Sequence, residues 1–132
     1  MKPLPKVEDF MSRDLATLSP EMEINHAMHV LLDRGLSGAP VLDANGSLVG
    51  VLSQRDCLKA ALQASYFRDW EGTVGSYMSG EVETLDPGMD LIAAAEAFVD
   101  SRFRRFPVVL EGCLVGQISR VDVLRGLSEN WQ

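Results

Sequence analysis

The chain has 132 residues, of which 46% are hydrophobic and 23% charged, and its formal net charge is −7. This length and composition are typical of an ordinary globular protein with a core of its own. The negative charge argues against a general nucleic-acid-binding protein, because such proteins bind mainly by neutralising phosphates. No apolar run approaches the ~18 residues of a membrane span and no signal segment opens the chain, so we expect a cytoplasmic protein.

The first half of the chain predicts the order strand, helix, strand, strand, helix, over residues 16–18, 20–34, 39–42, 48–52 and 54–64. We interpret Ser19-Pro20 as the N-cap and first residue of the first helix, and Gly35 as the residue that ends it. Asn45-Gly46 is typical of a hairpin turn between the two strands. Ser53 is expected to begin the second helix.

The second half predicts the same order. Asp86-Pro87 is the expected cap and helix start, with the helix over residues 89–101. Strands are expected over residues 106–110 and 114–118, around a tighter turn at Glu111-Gly112, and Ser119 begins the last helix. Strands alternating with helices in this way predict small sheets with helices packed on them, an α/β (α+β) fold.

The two halves are copies of one sequence. Three patterns recur in the same order: V-x-x-[FY]-M-S at 7–12 and 74–79, T-L-x-P-x-M at 17–22 and 84–89, and G-x-L-V-G-x-x-S-x-x-D-x-L at 46–58 and 112–124. We therefore expect one motif over 7–64, a second over 74–128 and a linker over 65–73. One copy alone is too small to be stable, so the two are expected to pack together.

The pattern G-x-x-S-x-x-D stands at both strand-to-helix junctions, over residues 50–56 and 116–122. The N-terminus of a helix attracts anions, because it offers unpaired N–H groups and a positive dipole end. The serine hydroxyl can bind a phosphate there, and the aspartate can accept both hydroxyls of a ribose. The alternative is a capping box, in which serine and acid satisfy each other's backbone N–H groups. Aspartate in place of the longer Glu or Gln weighs against a purely structural box, although the two interpretations are compatible.

The order and duplication of these motifs closely resemble the CBS domain, named for cystathionine β-synthase, and the pair resembles a stand-alone Bateman module. The resemblance covers about residues 7–128. It implies a βαββα fold for each motif, the two packed around a pseudo-twofold axis. It also implies two clefts that commonly bind adenosyl ligands such as AMP, ADP, ATP or S-adenosylmethionine.

The resemblance also assigns site residues, since each cleft combines the first-strand threonine and pre-proline segment of one motif with the serine and aspartate of the other. The first expected cleft consists of Thr17, Ser37, Gly38, Ala39, Ser119 and Asp122. The second consists of Thr84, Arg104, Arg105, Phe106, Ser53 and Asp56. Because the second has two arginines where the first has Ser37 and Gly38, we expect it to prefer ligands with more phosphates, with Arg55 or Arg120 assisting. Solvated strand-edge arginines are the alternative interpretation.

Other candidates for chemistry carry less weight. His26 and His29 share a helix face but lack the three or four convergent ligands of a metal site, so no metal is expected. Ser53 and Ser119 have no positioned base, so we expect no catalysis. The two cysteines, Cys57 and Cys113, are expected to be reduced packing residues.

We therefore expect a non-catalytic regulatory module with an adenine nucleotide as its ligand and no required cofactor. The resemblance implies a homodimer, and an unidentified protein would read the bound state; membrane and nucleic acid are not expected partners. Aromatic residues of the linker and of the chain end are candidates for the dimer contact or for packing over the core edges: Tyr66, Phe67, Trp70 and Trp131. The alternatives are a structural interaction module with empty clefts, and S-adenosylmethionine in place of a nucleotide.

Overall fold

The structure, a computed structural model, describes residues 3–131. Its elements are α1 (Val7–Phe10), α2 (Ile24–Arg34), β1 (Gly38–Leu42), β2 (Leu48–Ser53), α3 (Gln54–Phe67), α4 (Val74–Tyr77), α5 (Leu91–Val99), β3 (Arg105–Leu110), β4 (Cys113–Ser119) and α6 (Arg120–Asn130). They form two compact units: a contiguous unit of residues 16–82, and a split unit of residues 3–15 with 83–131. Each unit holds one two-stranded sheet with helices, which confirms the predicted mixed fold class.

The contiguous unit is built on β1 and β2, which pair antiparallel so that Gly38 lies opposite Ser53. Leu18 forms a parallel bridge to Val41, and this single residue is all that remains of the predicted first strand. Apolar residues recur at helical spacing in α2 and α3, which gives each helix one apolar face. These faces pack on the sheet. The buried core consists of Leu18, Ile24, Ala27, Leu31, Ala39, Val41, Leu52, Cys57, Ala60 and Val74.

The split unit repeats this arrangement with β3 and β4, where Arg105 lies opposite Ser119. Leu85 bridges in parallel to Val108, as Leu18 does to Val41. The core consists of Val7, Leu85, Leu91, Ala94, Phe98, Phe106, Val108, Ile118 and Val123. Phe98 and Phe106 pack with ring centroids 4.7 Å apart.

The two short helices, α1 and α4, each pack in the unit that holds most of the other repeat. Helix α1 begins the first repeat but packs in the split unit, where Val7 is fully buried and its N–H donates to Met89 O at 2.8 Å. Helix α4 begins the second repeat but packs in the contiguous unit, where the N–H of Val74 donates to Met22 O at 2.8 Å. The compact units therefore do not coincide with the repeats expected at 7–64 and 74–128. The limits of the repeats stay a prediction.

The predicted starts of the first helix in each repeat were wrong. Helix α2 begins at Ile24 with Glu23 as N-cap, and α5 begins at Leu91 with Asp90 as N-cap. The proline segments form turns, in which Met22 N donates to Ser19 O at 3.2 Å and Met89 N donates to Asp86 O at 3.1 Å. The carbonyls of both methionines accept from the exchanged short helices, so the backbone at these points does not join a helix.

Two helix ends also differ from the prediction. Helix α3 continues to Phe67, so the predicted linker over 65–73 begins with a helical segment that carries Tyr66. Helix α5 ends at Val99 and not at Ser101. These shifts are within the ordinary uncertainty of helix ends, which fray and which depend on the cap that tertiary contacts favour.

The predicted stops and turns are confirmed. Gly35 ends α2 in the left-handed region at φ 64°, where glycine carries no steric cost. Asp43 Oδ1 accepts from the N–H groups of Asn45 and Ser47, both at 2.9 Å, and so closes the first hairpin turn. Glu111 and Gly112, at φ 52° and 82°, form the tighter second turn.

Among the described residues, none of the helices has both the length and the apolar character that a membrane crossing requires.

Candidate functional site

The junction of β2 and α3 carries the first serine and aspartate pair. Ser53 is the N-cap, and its Oγ accepts from Asp56 N at 3.2 Å. Asp56 Oδ2 in turn accepts from Ser53 N and from Ser53 Oγ, both at 2.9 Å. The pair thus forms a complete capping box at the positive end of a 14-residue helix.

Most of the other residues predicted in the contiguous unit lie beside this junction. Ser37 O accepts from Gln54 N at 2.9 Å, which ties the segment before β1 to the first residue of α3. Gly38 lies opposite Ser53, and a Cβ added to it would lie 2.9 Å from Leu52 O. Thr17 precedes Leu18, whose parallel bridge to Val41 places the threonine level with Pro40 in the middle of β1.

The junction of β4 and α6 repeats the box. Ser119 Oγ accepts from Asp122 N at 3.2 Å, and Asp122 Oδ2 accepts from Ser119 N at 2.9 Å. One feature differs, because Arg125 Nη1 lies 3.6 Å from Asp122 Oδ1. The equivalent residue in the first repeat is Lys59, and the ion pairs described for residues 3–131 do not include one between it and Asp56.

The arginine-rich segment of the split unit lies beside this second junction. Arg120 N donates to Arg104 O at 3.1 Å, and Arg120 Nε donates to Phe103 O at 3.1 Å. Arg105 lies opposite Ser119 on the neighbouring strand. Thr84 precedes Leu85, whose parallel bridge to Val108 places the threonine level with Pro107, two residues along β3 from Arg105.

Arg105 differs electrostatically from its neighbour Arg104. Its Nε is buried and has no hydrogen-bond partner among residues 3–131, whereas Arg104 is exposed. A buried donor without a partner costs free energy, and the cost is larger when the group is charged. A ligand oxygen at this point would remove that cost.

The capping boxes correct one inference from the sequence. Aspartate was taken to weigh against a reciprocal box, yet both boxes form, because Asp Oδ2 reaches the N-cap N–H at 2.9 Å. The structural and functional interpretations remain compatible, since only one oxygen of each carboxylate, Oδ2, accepts the described hydrogen bonds of its box. In Asp56 the other oxygen, Oδ1, is left for a further partner, whereas Asp122 Oδ1 already lies 3.6 Å from Arg125 Nη1.

The side chains of two predicted site residues belong to the cores. Ala39 and Phe106 are each 2% exposed, and Phe106 packs between Phe98 and Phe103. Any contact that these residues make with a ligand would therefore come from the backbone.

The structure brings the twelve predicted residues together in two equivalent sets, one in each unit. The contiguous unit holds Thr17, Ser37, Gly38, Ala39, Ser53 and Asp56, and the split unit holds Thr84, Arg104, Arg105, Phe106, Ser119 and Asp122. The grouping implied by the resemblance exchanges serine and aspartate between these sets. That grouping joins residues of different units and stays a prediction.

Sequence reasoning missed Gln54 and Arg125. Gln54 Nε2 donates to Leu36 O at 2.9 Å, as Arg120 Nε does to Phe103 O in the second repeat. The repeat alignment contained the signal, because Gln54 aligns with Arg120 and Lys59 with Arg125. Each aligned pair has long polar side chains in the first turns of the helix.

The remaining candidates are the two histidines and the two cysteines. His26 and His29 are both exposed on α2, and among residues 3–131 no three His, Cys, Asp or Glu side chains could hold a metal together. Burial raises the pKa of the Cys57 thiol, and the nearby Asp56 charge raises it further. Cys113 is exposed, so the expected packing role is wrong for that cysteine.

Two solved structures closely match this fold. CBSX2 from Arabidopsis thaliana, solved in complex with AMP, is 30% identical, with a TM-score of 0.82 over 96% of this chain and 98% of that one. The CBS domain pair of MJ0100, solved with 5-methylthioadenosine and S-adenosyl-L-methionine, has a TM-score of 0.79 over 97% of this chain and 99% of that one. At 23% identity, the second likeness concerns the fold alone.

One relative from Methanocaldococcus jannaschii, the uncharacterized protein MJ1225, is 30% identical over 125 residues. The match covers 95% of this chain but 44% of that protein, so the chain spans less than half the length of this relative. The family profile described as the CBS domain matches twice, at residues 7–63 and 74–129. The chain therefore belongs to the CBS domain family and carries two copies of the domain.

Proposed function

We propose that this chain is a non-catalytic regulatory module that binds an adenosyl ligand, with AMP, ADP or ATP as the first candidates. The residues that would bind it are the two equivalent sets at the sheet ends. Binding would shift the population between two arrangements of the protein, and a partner protein would read the shift. The ligand does this only if its affinity differs between the arrangements. Location in the cytoplasm and assembly as a homodimer are parts of the same proposal.

The observation that carries the proposal is the free Oδ1 of Asp56 at the start of α3. Oδ2 is occupied by the capping box, whose hydrogen bonds hold the carboxylate in one orientation. A preorganised carboxylate oxygen at a helix N-terminus, beside Ser37 and Gly38, suits the hydroxyl donors of a ribose. The helix end itself suits the phosphate of the same ligand.

A second observation favours more phosphates at the arginine-rich set. The buried Nε of Arg105 has no hydrogen-bond partner in the part of the chain that the structure describes, and the neighbouring Arg104 is exposed. Arginine forms strong charge-assisted hydrogen bonds with phosphate oxygens. We expect Arg105→Ala to weaken ATP binding by at least about tenfold, since hydrogen bonds to charged groups contribute about 1.5–3 kcal/mol. AMP binding should weaken less.

The decisive experiment is calorimetry with AMP, ADP, ATP and S-adenosylmethionine on the wild type, on Asp56→Asn and on Asp122→Asn. Asparagine keeps an oxygen that can cap the helix, whereas alanine would remove cap and ligand contact together. Loss of the carboxylate charge should weaken binding by roughly tenfold to a hundredfold. Asp43→Asn is the matched control, because Asp43 also caps backbone N–H groups but stands at the hairpin turn. Unchanged affinity in both site variants would remove the two aspartates from the site.

The same variants test the grouping of residues implied by the resemblance. If Arg105 and Asp56 contact the same ligand molecule, Arg105→Ala and Asp56→Asn should weaken the same binding event in the calorimetric titration. If Arg105 acts with Asp122 of its own unit, Arg105→Ala and Asp122→Asn should instead weaken the same binding event. The double variants then give the coupling within each pair.

The alternative is a structural interaction module whose serines and aspartates serve only as caps. The complete boxes at both junctions are what this alternative requires. A thermal-shift assay separates the two, because a ligand at 100 times its dissociation constant adds about 2.7 kcal/mol of stability. A shift with S-adenosylmethionine but not with nucleotides would change the ligand and keep the regulatory role.

A further inference from the structure

Two methionine sulfurs lie directly against glycines of the sheets. Met78 is the C-cap of α4 and packs on β2, where a Cβ added to Gly50 would lie 2.6 Å from Met78 Sδ. Met11 is the C-cap of α1 and packs on β4, where a Cβ added to Gly116 would lie 2.5 Å from Met11 Sδ. Each sulfur therefore fills the space that a side chain of the strand would need.

The residue after each methionine bonds to the same strand through its backbone. Ser79 N donates to Val51 O, and Val51 N donates to Ser79 O, both at 3.0 Å. Ser12 N donates to Gln117 O at 2.8 Å, and Gln117 N donates to Ser12 O at 2.9 Å. Each pair of bonds lies on the strand edge that faces away from the hairpin partner. The methionine side chain and the serine backbone thus hold the end of a short helix on that edge.

This contact suits a thioether and not its oxide. Met11 and Met78 are both half-buried, so a small oxidant in the solvent can reach them. Oxidation converts the flexible apolar side chain into a polar, chiral sulfoxide, which disrupts apolar packing. The new oxygen has no room on the glycine side, where even a Cβ would lie within 2.6 Å of the sulfur. A polar oxygen also loses free energy where it is cut off from water without a donor. The oxidised side chain therefore fits the strand less well.

We propose that Met11 and Met78 are reversible oxidation sites, at which a peroxide loosens the short helix and the serine bridge of one unit. The sulfur lone pair attacks one peroxide oxygen, the O–O bond breaks, an S–O bond forms, and hydrogen peroxide leaves as water. The sulfur is oxidised and the peroxide reduced. A methionine sulfoxide reductase reverses the step, as two thiols become a disulfide and the oxygen leaves as water. Oxidation of Met78 acts on the contiguous unit and oxidation of Met11 on the split unit, because each packs there.

Oxidation of Met78 should also affect the site at the junction of β2 and α3. Val51, which exchanges bonds with Ser79, lies two residues before Ser53 on the same strand. Ser53 is the N-cap whose box orients the carboxylate of Asp56. A strand edge freed from Ser79 therefore holds this carboxylate less firmly, and the affinity for an adenosyl ligand should fall. This consequence rests on the proposed function, whereas the oxidation and the loss of stability do not.

The test treats the full chain with dilute hydrogen peroxide, follows each methionine by mass spectrometry and measures Tm by circular dichroism. Every sample carries Cys113→Ser, because the exposed thiol would also react. We expect oxidation of Met11 and Met78 to lower Tm by about 4 °C or more, and the reductase to restore it. Met11→Leu with Met78→Leu keeps the apolar volume without the sulfurs, so this double variant should keep its Tm after peroxide. Met28→Leu is the matched control and should respond like the parent, because Met28 lines the open groove between α2 and α3.

Three outcomes would overturn the proposal. One is an unchanged Tm when mass spectrometry shows both methionines oxidised. Another is a double leucine variant that loses as much stability in peroxide as the parent, and the third is oxidation of the two sulfurs only after the protein has unfolded. Recovery of Tm by the reductase needs no variant, so the test stands even if a leucine variant fails to fold. Calorimetry with AMP before and after oxidation separates the two proposals, because absence of binding before oxidation counts against the proposed function alone.

Discussion

Two repeated patterns that look unrelated in the sequence belong to one contact between residues. A Cβ added to Gly50 would lie 2.6 Å from Met78 Sδ and 2.8 Å from Ser79 O. A Cβ added to Gly116 would lie 2.5 Å from Met11 Sδ and 3.0 Å from Ser12 O. The Met-Ser pair of one pattern thus packs on the last glycine of the G-x-L-V-G pattern. Only glycine lets the backbone of Ser79 or Ser12 approach the strand this closely.

Replacing these glycines should therefore destabilise the protein. We expect Gly50→Ala or Gly116→Ala to lower the free energy of unfolding by about 1–3 kcal/mol, the usual cost of overpacking. Urea denaturation followed by circular dichroism measures it. Gly80→Ala is the matched control, because a Cβ there meets nothing within 4 Å. Equal stability of Gly50→Ala and Gly80→Ala would contradict the contact.

The two cysteines should differ in reactivity. Cys57 is buried and its pKa is raised, first by desolvation and then by the Asp56 charge, whereas Cys113 is exposed. Because the thiolate is the nucleophile, a disulfide reagent at pH 8 should modify one thiol rapidly and the second only as the protein opens. Cys113→Ser should abolish the fast phase. A fast phase that persists in this variant would place the reactive thiol at Cys57.

The raised pKa of Cys57 also predicts that the free energy of unfolding falls at alkaline pH. The folded protein holds the thiol proton more tightly than the unfolded chain, so stability is full below the unfolded pKa of about 8.5. It should fall as the pH rises above that value and through the folded pKa. Chemical denaturation between pH 7 and 10 measures this, and Cys57→Ala should show a smaller decline than the wild type. An equal decline in both would assign the effect to other groups.

At the scale of elements, the short helices α1 and α4 complete the core of the unit that does not contain the rest of their own repeat. Val7 and Val74 are both 0% exposed, and each donates its N–H to a methionine carbonyl of its unit. Burial of a four-residue helix through one valine shows that tertiary contact, and not intrinsic propensity, holds it in place.

This exchange predicts where two equivalent substitutions act. Val7→Ala should loosen the split unit and Val74→Ala the contiguous unit, each by about 2 kcal/mol from the lost methyl groups and the cavity left behind. Hydrogen exchange read by mass spectrometry should show faster exchange in α5 and β4 for Val7→Ala, and in α2 and β2 for Val74→Ala. The pattern would be reversed if each short helix packed with its own repeat.

The elements show where sequence reasoning succeeds. Gly35, the Asn45-Gly46 turn and the serine caps of α3 and α6 were predictable, because each depends on a local backbone requirement that few residues satisfy. The starts of α2 and α5 were not, because the carbonyls of Met22 and Met89 accept from residues far along the chain. A Ser-Pro or Asp-Pro pair has the same cap chemistry whether or not such a partner exists.

At the scale of the whole molecule, residues 16–82 form a complete unit and residues 7–64 do not. We expect a fragment of residues 16–82 to keep its secondary structure, because Leu18, Val41 and Val74 all belong to its core. A fragment of residues 7–64 lacks Val74 and exposes Val7, so it should be largely unfolded. Circular dichroism of the two fragments at equal concentration measures the difference. Equal helicity in both would mean that the repeat, and not the compact unit, folds alone.

The members of the candidate site were largely predictable and their details were not. Repeat alignment brought out both Ser-x-x-Asp pairs and both pre-proline segments, because duplication separates a pattern from chance. It could not reveal that Ala39 and Phe106 turn their side chains into the cores, since burial depends on which strand face meets the helices. Nor could it reveal that Arg125 approaches Asp122, whereas the ion pairs described for residues 3–131 include none between Lys59 and Asp56.

The split unit has a consequence for the time at which the protein folds. Residues 16–82 are complete once the chain has been made to that point, whereas residues 3–15 belong with residues 83–131. At about 5–20 residues per second, the ribosome needs several seconds or more to make the rest. Until then Val7 has no core to enter, so residues 3–15 are synthesised before residues 16–82 but complete their packing after them.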